Sequence, residues 1–243
     1  EEQRMIQQSV ERFVEDNYDL NSRVALSSKS PGFSTENWHS MAELGWLGLP
    51  FEEEDGGFGG NQIDVLVVME QFGRGLVLEP YLASIVMGGG ALKRGGTDAL
   101  KSEILPQVIE GTLQLAFAYA EEQSRFDLDD VMTSARKEGE NFVLNGQKSM
   151  VQNAETADKI VVSARTSSGQ VSPQGITLFL IDADAEGLSR DNFPTVDGLR
   201  ASEITLENVS VGPDRILGEV DQGFSILQSV ANDAMLALSA EAV

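Results

Sequence analysis

Hydrophobic positions recur at helical spacing through the first third of the chain. The first set is Met5, Ile6, Val10, Phe13 and Val14, with polar residues between them. Ser34 or Thr35 can cap a second helix, which Gly45 ends and which carries Trp38, Met41 and Leu44 on one face. Further helices are predicted after Asn61 and over 80–92 and 97–109, with glycines at 88–90 and 95–96 as weak points or breaks.

Near Gly111 the apolar residues begin to alternate or to form short runs. Alternation over 113–119 predicts a strand, and short apolar runs predict the strands 142–144, 160–162, 176–181, 204–206 and 209–211. A short turn is expected between the last two strands, and Asn145-Gly146 is a favoured two-residue hairpin sequence. After Gly223 the period is helical again, with one face formed by Leu227, Ala231, Ala234 and Leu238. The predicted order is helices, strands, then a helix.

The composition excludes several classes of function. Lys and Arg number 17 against 39 Asp and Glu, a formal net charge of −22, so nucleic acid is not expected as a partner. The absence of cysteine excludes disulfides and thiolate nucleophiles, and the single His39 cannot form a histidine pair for zinc. No apolar run reaches the roughly 18 residues that span a bilayer, so we expect a cytoplasmic protein with no membrane partner. The chain begins without Met and stops inside a predicted helix, which indicates a fragment.

Glycine-rich and acidic stretches are weak evidence for nucleotide or metal sites. Neither 57–62 nor 73–75 follows a strand, as a dinucleotide-binding turn requires, and the chain has no Gly-Lys-Ser/Thr triplet. The acidic run 52–55 lacks the spacing of a calcium loop, and the aspartates within 127–130 are more simply interpreted as a solvated loop. We expect no metal site.

Several short motifs, taken in order, resemble the acyl-CoA dehydrogenase family over nearly the whole chain. They are Leu49-Pro50 through Gly56-Gly57-Phe58-Gly59, Leu115 through Glu121, Asn145-Gly146-Gln147-Lys148 continuing to Asn153-Ala154, Gly198-Leu199-Arg200-Ala201-Ser202, and Val209 through Gly218. Each motif alone is a weak signal. Their shared order and spacing carry the resemblance.

The resemblance implies an α+β fold with three parts. These are an N-terminal all-α domain over residues 1–111, a middle β-domain of barrel or sandwich form over 112–222, and the first helix of a C-terminal bundle over 223–243. FAD is expected between the β-domain and the bundle, with help from a neighbouring subunit. The implied reaction is α,β-dehydrogenation of an acyl-CoA to 2-enoyl-CoA, in which a carboxylate removes the α-proton and a hydride leaves the β-carbon for the flavin. A bacterial oxidoreductase of fatty acid metabolism, forming a homo- or hetero-oligomer and passing electrons to an electron-transfer flavoprotein or similar acceptor, is expected.

The resemblance also selects candidate site residues. Phe117, Tyr119 and Ala120 are expected on the flavin side of the first strand, facing a second group that consists of Met150, Val151 and Gln152. Arg125 and Phe126 are expected to border the acyl-CoA channel. Core packing or a hairpin edge is the alternative role for the first six, and a surface loop is the alternative for the last two. Lys148 is expected to pack or pair on its hairpin rather than to contact CoA phosphate.

The match to the family weakens where the flavin and substrate are expected. The family sequence Thr-Glu-Pro-x-x-Gly-Ser-Asp corresponds to residues 120–127, so Ala120 and Phe126 replace two hydroxyl side chains and Arg125 replaces the glycine. The family sequence Trp/Phe-Ile-Thr corresponds to residues 150–152, where Gln152 can still donate a hydrogen bond.

In the following helix, Ala234 and Met235 stand where some family members carry a catalytic Glu and an Arg. We therefore expect no catalytic base in this chain.

Three alternatives to a complete acyl-CoA dehydrogenase stay open. The chain could be a flavin-poor, non-catalytic subunit of a heteromeric acyl-CoA dehydrogenase, a non-redox binding protein on the same fold, or a flavin-dependent monooxygenase or nitroalkane oxidase. The acidic chain repels FAD and CoA at long range, so we expect oligomerisation, with the Leu236 and Leu238 face docked into a bundle.

Overall fold

The computed structural model describes residues 1–167 and 169–243. Its helices are α1 (Glu2–Asn17), α2 (Leu20–Ser27), α3 (Thr35–Glu43), α4 (Gln62–Gly75), a π-helix (Tyr81–Gly89), α5 (Gly90–Gly95), α6 (Asp98–Ile109) and α7 (Phe224–Glu241). Its strands are β1 (Leu115–Ala118), β2 (Ser134–Glu138), β3 (Asn141–Gln152), β4 (Lys159–Arg165), β5 (Ile176–Asp182), β6 (Leu188–Pro194), β7 (Arg200–Val211) and β8 (Ile216–Leu217). The predicted order of helices, strands and a final helix is confirmed.

The helices begin where polar caps satisfy their free backbone amides. Ser34 accepts a hydrogen bond from Asn37 N–H at the start of α3, and Asn61 forms a capping box with Asp64 at the start of α4. Gly45, with φ of 82°, follows the end of α3. The sequence-based boundaries of these helices are therefore confirmed by their capping contacts.

The glycines at 88–90 do not break their helix, contrary to one of the two sequence-based possibilities. The π-helix runs directly into α5 through them. A Cβ atom at Gly88 would lie 2.5 Å from Leu115 Cβ, and one at Gly89 would lie 2.6 Å from the Phe51 ring. Close packing against β1 and Phe51 explains these glycines, whereas the helix does end at Gly95 before α6 begins.

The strands form one mixed sheet in the order β6-β7-β3-β2-β4-β5-β8, and β1 pairs in parallel with β4. Two details of the sequence-based strand prediction are wrong. Asn145-Gly146 is not a hairpin turn, because β3 continues through it with a register shift against β7; a Cβ at Gly146 would lie 2.6 Å from Thr133 Cα. Residues 204–211 form one strand, β7, and Asn208 takes a φ of 57° within it instead of opening a turn.

Apolar side chains pack on both faces of this sheet. One core joins the helices to inward residues of the sheet such as Leu115, Val161 and Leu178. The other lies within the β-region around Leu144, Ile160 and Phe179. Because successive strand residues point to opposite faces, β1 and β4 contribute to both cores. Within the described residues, no helix has the length and apolar character needed to cross a membrane.

Candidate active site

A cavity of about 480 Å³ opens between the end of β1, the end of β3, the π-helix and α7. We call it the proximal cavity. Its walls are largely apolar, and are formed by Leu82, Ala83, Met87, Phe117, Tyr119, Ala120, Ser124, Arg125, Phe126, Asp127, Leu128, Met150, Gln152, Ala231, Ala234, Met235 and Leu238. A concave, mostly apolar surface with a few polar groups is typical of a small-molecule site.

Most of the sequence-predicted site residues lie on this wall. Phe117, Tyr119 and Ala120 come from the end of β1, and Met150 and Gln152 come from the end of β3. The rings of Phe117 and Tyr119 make an edge-on contact, with their centroids 5.7 Å apart. Burial raises the pKa of the Tyr119 hydroxyl, so this group is a neutral hydrogen-bonding group.

Val151 lies elsewhere. It is 2% exposed and packs in the core within the β-region, while its neighbours Met150 and Gln152 face the cavity. Strand alternation accounts for this, because adjacent residues of a strand point to opposite faces. Its position therefore favours the core-packing alternative over flavin contact.

The end of β3 is bent by an irregularity in its pairing with β7. The register shifts between Lys148 and Val151, and Met150 has a left-handed φ of 53°. The Met150 N–H donates to the Glu203 carboxylate at 3.3 Å. Such bulges redirect side chains, and this one leaves the Met150 side chain 55% exposed on the cavity wall.

A buried ion pair joins the two strand ends behind the cavity. Lys148 Nζ lies 2.7 Å from Glu121 Oε1 and 3.0 Å from Ser163 Oγ, and Lys148 is completely buried. Glu121 also accepts the backbone N–H groups of Met132 at 2.8 Å and Thr133 at 3.0 Å. The expected pairing role of Lys148 is confirmed.

Both members of this pair have shifted pKa values. Burial acts to raise the pKa of Glu121, but the charge of Lys148 and the hydrogen bonds to the carboxylate outweigh it and lower the pKa to about 2. Burial lowers the pKa of Lys148 to about 8, although Glu121 opposes this change. The pair is therefore ionised at neutral pH. Ala120 is adjacent to Glu121 and Met150 is two residues from Lys148, so the ion pair restrains the positions of both cavity residues.

Arg125 and Phe126 lie in a tight exposed loop at the mouth of the cavity. The Glu121 N–H donates to Ser124 Oγ at 3.1 Å, and the Asp127 N–H donates to the Ser124 carbonyl at 2.8 Å. Arg125 has a φ of 49°, in the left-handed region that the glycine of the family motif adopts without strain. Phe126 is 96% exposed, so both residues combine the surface-loop position with a place on the cavity wall.

On the helical side of the cavity, sequence reasoning named no residue of the π-helix and, on α7, considered only Ala234 and Met235 as positions of family site residues. The π-helix contributes Leu82, Ala83 and Met87, and an exposed stripe of α7 contributes Ala231, Met235 and Leu238. A second stripe of α7 is buried, and comprises Leu227, Val230, Ala234 and Ala237. The single apolar face predicted from the sequence (Leu227, Ala231, Ala234 and Leu238) combines residues of both stripes. The sequence did contain a signal for this contact: two adjacent apolar stripes on one helix indicate that the helix is contacted on two sides.

The residues of the proximal cavity fit a flavin ring. Apolar walls with exposed Met150 and Met235 match the faces of a flat aromatic ring system. The Gln152 amide and the Tyr119 hydroxyl can form hydrogen bonds with the heteroatoms at its edge. Ala120 contributes no hydroxyl group, so the polar contacts are fewer than the family motif provides.

Two family models match the chain. The acyl-CoA dehydrogenase N-terminal domain matches residues 1–112, and the acyl-CoA dehydrogenase middle domain matches residues 116–209. The chain belongs to the acyl-CoA dehydrogenase family. The family resemblance and the α+β fold class inferred from the sequence are thus confirmed.

Curated relatives show how much of a family member the chain represents. The 3-(aryl)acrylate reductase of Clostridium sporogenes is 33% identical over 221 residues, which are 88% of this chain and 58% of that protein. The caffeyl-CoA reductase-Etf complex subunit CarC of Acetobacterium woodii is 29% identical over 249 residues, covering 100% of this chain and 65% of that protein. The chain thus spans less than two thirds of the length of these relatives.

A solved structure likewise matches nearly the whole of this chain but only part of its own length. The ChsE4-ChsE5 complex from Mycobacterium tuberculosis matches with a TM-score of 0.82 and 26% identity, over 96% of this chain and 60% of the matched chain.

Proposed function

We propose that this chain forms the flavin- and substrate-facing part of an FAD-dependent acyl-CoA dehydrogenase, which converts an acyl-CoA to a 2-enoyl-CoA. The supporting observation is the proximal cavity, where the ends of β1 and β3 meet the π-helix and α7. Family membership supports the same reaction class. A fatty-acid substrate, a bacterial source and a cytoplasmic location stay predictions.

When bound, FAD would supply the acceptor for the hydride lost from the β-carbon. The chain's own residues orient the reactants and exclude water. Phe117, Tyr119 and Met150 provide apolar surface, and Gln152 is positioned to donate a hydrogen bond. The Lys148–Glu121 pair fixes the separation of the two strand ends without contacting the ligand itself.

The base that removes the α-proton is not assigned to this chain. Among the described residues, the carboxylate on the wall of the proximal cavity is that of Asp127, which lies in the exposed loop. We propose that the base comes from outside residues 1–243.

The direction of the reaction is a separate question, because the names of two relatives specify reductases. An aligned thioester and hydride acceptor can support either oxidation of the acyl-CoA or reduction of the enoyl-CoA. We propose that the electron partner sets the direction.

The decisive experiment is a visible absorbance spectrum of the full-length protein, followed by anaerobic addition of acyl-CoA thioesters. We expect a flavin spectrum that bleaches with at least one saturated acyl-CoA, or that returns from the reduced state with an enoyl-CoA. A flavin spectrum that responds to neither would contradict the proposal and direct attention to the monooxygenase or nitroalkane oxidase alternative.

Gln152→Ala tests the cavity as the flavin site. We expect weaker flavin retention, by roughly a factor of five, because one hydrogen bond contributes about 1 kcal/mol. The flavin content after dialysis and the Kd for added FAD measure the effect. Gln147→Ala is the matched control, since Gln147 is exposed on the same strand and away from the cavity. Equal retention in both variants would count against the assignment.

A second candidate is the flavin-poor subunit of a heteromeric dehydrogenase. It is favoured by Ala120 and Phe126, which stand on the cavity wall in place of hydroxyl side chains. A two-component complex among the solved relatives and an Etf-complex subunit among the curated ones support a partner chain. Full activity and full flavin content without a partner chain would exclude this candidate. A colourless protein that takes up no FAD but activates a partner would establish it, and one that also activates no partner would favour a binding protein.

A further inference from the structure

A cavity of about 360 Å³ adjoins the proximal cavity. We call it the distal cavity. Leu82, Ala83, Gln152 and Leu238 lie on the walls of both cavities, so they form the boundary between the two spaces. An acyl chain whose thioester lies in the proximal cavity can extend past this boundary.

Glu79 lies on the wall of the distal cavity, and its carboxyl group is buried with one of its two oxygens unpaired. The residue is 5% exposed, and its Oε1 accepts the Ser34 N–H at 3.2 Å. Its Oε2 is buried and has no hydrogen-bond partner among the residues that the structure describes. An unpaired buried polar atom costs free energy that a matching ligand group can recover.

Two other charged side chains nearby, Arg200 and Asp197, are already engaged. Arg200 pairs with Glu155, and the other carboxylate oxygen of Glu155 accepts the Ser30 hydroxyl at 2.7 Å. Asp197 accepts the Leu199 N–H at 3.1 Å. The unpaired Oε2 of Glu79 is therefore a buried polar atom on this wall that a ligand entering the apolar space can pair with.

The chemistry of the wall narrows the class of ligand group. Glu79, Asp197 and Glu241 lie on it, and the charge of Arg200 is balanced by Glu155, so a terminal carboxylate on the acyl chain is disfavoured. Burial raises the pKa of Glu79 to about 7, which favours the neutral acid near neutral pH and disfavours pairing with a buried ammonium. A hydroxyl group fits best, because it can accept from the neutral acid and donate to the carboxylate.

We propose that Glu79 is a specificity-determining residue, whose Oε2 forms a hydrogen bond with a hydroxyl group at the end of the acyl chain remote from the thioester. This assignment rests on the proposed acyl-CoA function and names its substrate class. Hydroxylated acyl groups are favoured over plain ones because the plain group leaves the buried carboxyl oxygen unpaired.

The test compares acyl-CoA thioesters of increasing length, each with and without a terminal hydroxyl, as reductants of the flavin in the full-length protein. At one chain length we expect roughly a 10- to 100-fold higher kcat/KM for the hydroxylated member. Glu79→Met should abolish this preference, and Glu79→Gln should keep part of it because its amide group still forms hydrogen bonds. Glu110→Met, at an exposed position, is the control that should leave the preference unchanged.

Binding provides a readout that is independent of turnover. Thioether analogues of the same pairs lack the activated α-proton, so calorimetry on them reports affinity alone, and we expect the same loss of preference in Glu79→Met. A wild-type protein that is reduced by plain acyl-CoAs but shows no hydroxyl preference at any length would overturn the role of Glu79 and leave the proposed function standing. The same holds for a preference that survives Glu79→Met. Failure of every acyl-CoA to react would overturn both.

Discussion

At the level of single residues, the buried pair of Lys148 and Glu121 couples the stability of the sheet to the shape of the cavity. Replacing Lys148 with Met leaves the Glu121 carboxylate buried without its cation. We expect a loss of about 3–5 kcal/mol in unfolding free energy. Urea unfolding of the full-length protein measures this change. Adding Glu121→Gln to Lys148→Met should restore part of the stability, because it removes the unpaired charge and keeps an acceptor for Thr133.

Lys137→Met is the matched control for this prediction. Lys137 is exposed on β2, so its replacement should change the unfolding free energy by less than about 0.5 kcal/mol. A similar small effect for Lys148→Met would show that the ion pair is not a determinant of stability.

Glu79 predicts a specific dependence of stability on pH. Burial raises its pKa in the folded protein to about 7 from the ordinary value of 4.5, so the folded state binds the proton more tightly than the unfolded chain. The stabilisation associated with this proton is complete below about pH 4.5, and it is lost as the pH rises to about 7.

Glu79→Gln removes this titration. Relative to the wild type, we expect the variant to be more stable by about 2–3 kcal/mol at pH 8, with little difference at pH 4.5, since one pKa unit corresponds to about 1.4 kcal/mol. Urea unfolding at the two pH values gives the difference directly, because the titrations of the other groups cancel between the proteins. A pH-independent difference would contradict a buried Glu79 with a raised pKa.

At the level of elements, the contact between α4 and α7 depends on a glycine. A Cβ at Gly73 would lie 1.8 Å from the Glu241 carbonyl oxygen, so Gly73→Ala must displace the end of α7. We expect a loss of about 1–3 kcal/mol in unfolding free energy and a perturbed distal cavity, whose wall includes both residues.

Gly90→Ala is the comparison within a helix. Its new Cβ would meet the flexible Arg94 guanidinium at 3.3 Å, and Ala favours helix over Gly by up to about 1 kcal/mol. Gly90→Ala should therefore be neutral or stabilising in the same thermal or urea unfolding assay. Equal destabilisation by both substitutions would show that loss of glycine itself, and not the α4–α7 contact, causes the effect at Gly73.

At the level of the whole molecule, apolar exposure and charge both favour assembly. Met235, Leu236 and Leu238 are 58%, 50% and 47% exposed along α7. The formal charge of −22 gives long-range repulsion toward the anionic CoA and FAD, which positive groups from other segments or subunits can offset. We expect the full-length protein to sediment as a dimer or larger oligomer. A monodisperse monomer in analytical ultracentrifugation would contradict this expectation.

The sequence by itself determined the elements, because local chemistry specifies them. Polar caps at Ser34 and Asn61 and the change of period near Gly111 predicted the helix–strand order, and the ordered motifs identified the family. The resemblance also selected Phe117, Tyr119, Ala120, Met150 and Gln152 as site residues, and these five lie on the wall of the proximal cavity.

Only the tertiary structure decided the features that depend on residues distant in the chain. Gly146 lies within β3, where Thr133 packs closely against it. Strand pairing therefore prevails over the local preference of Asn145-Gly146 for a hairpin turn. Val151 lies in the core within the β-region, while its neighbours Met150 and Gln152 lie on the cavity wall. The unpaired oxygen of Glu79 arises where the loop before α3, the π-helix and the sheet enclose it, and no pattern of neighbouring residues reports such burial.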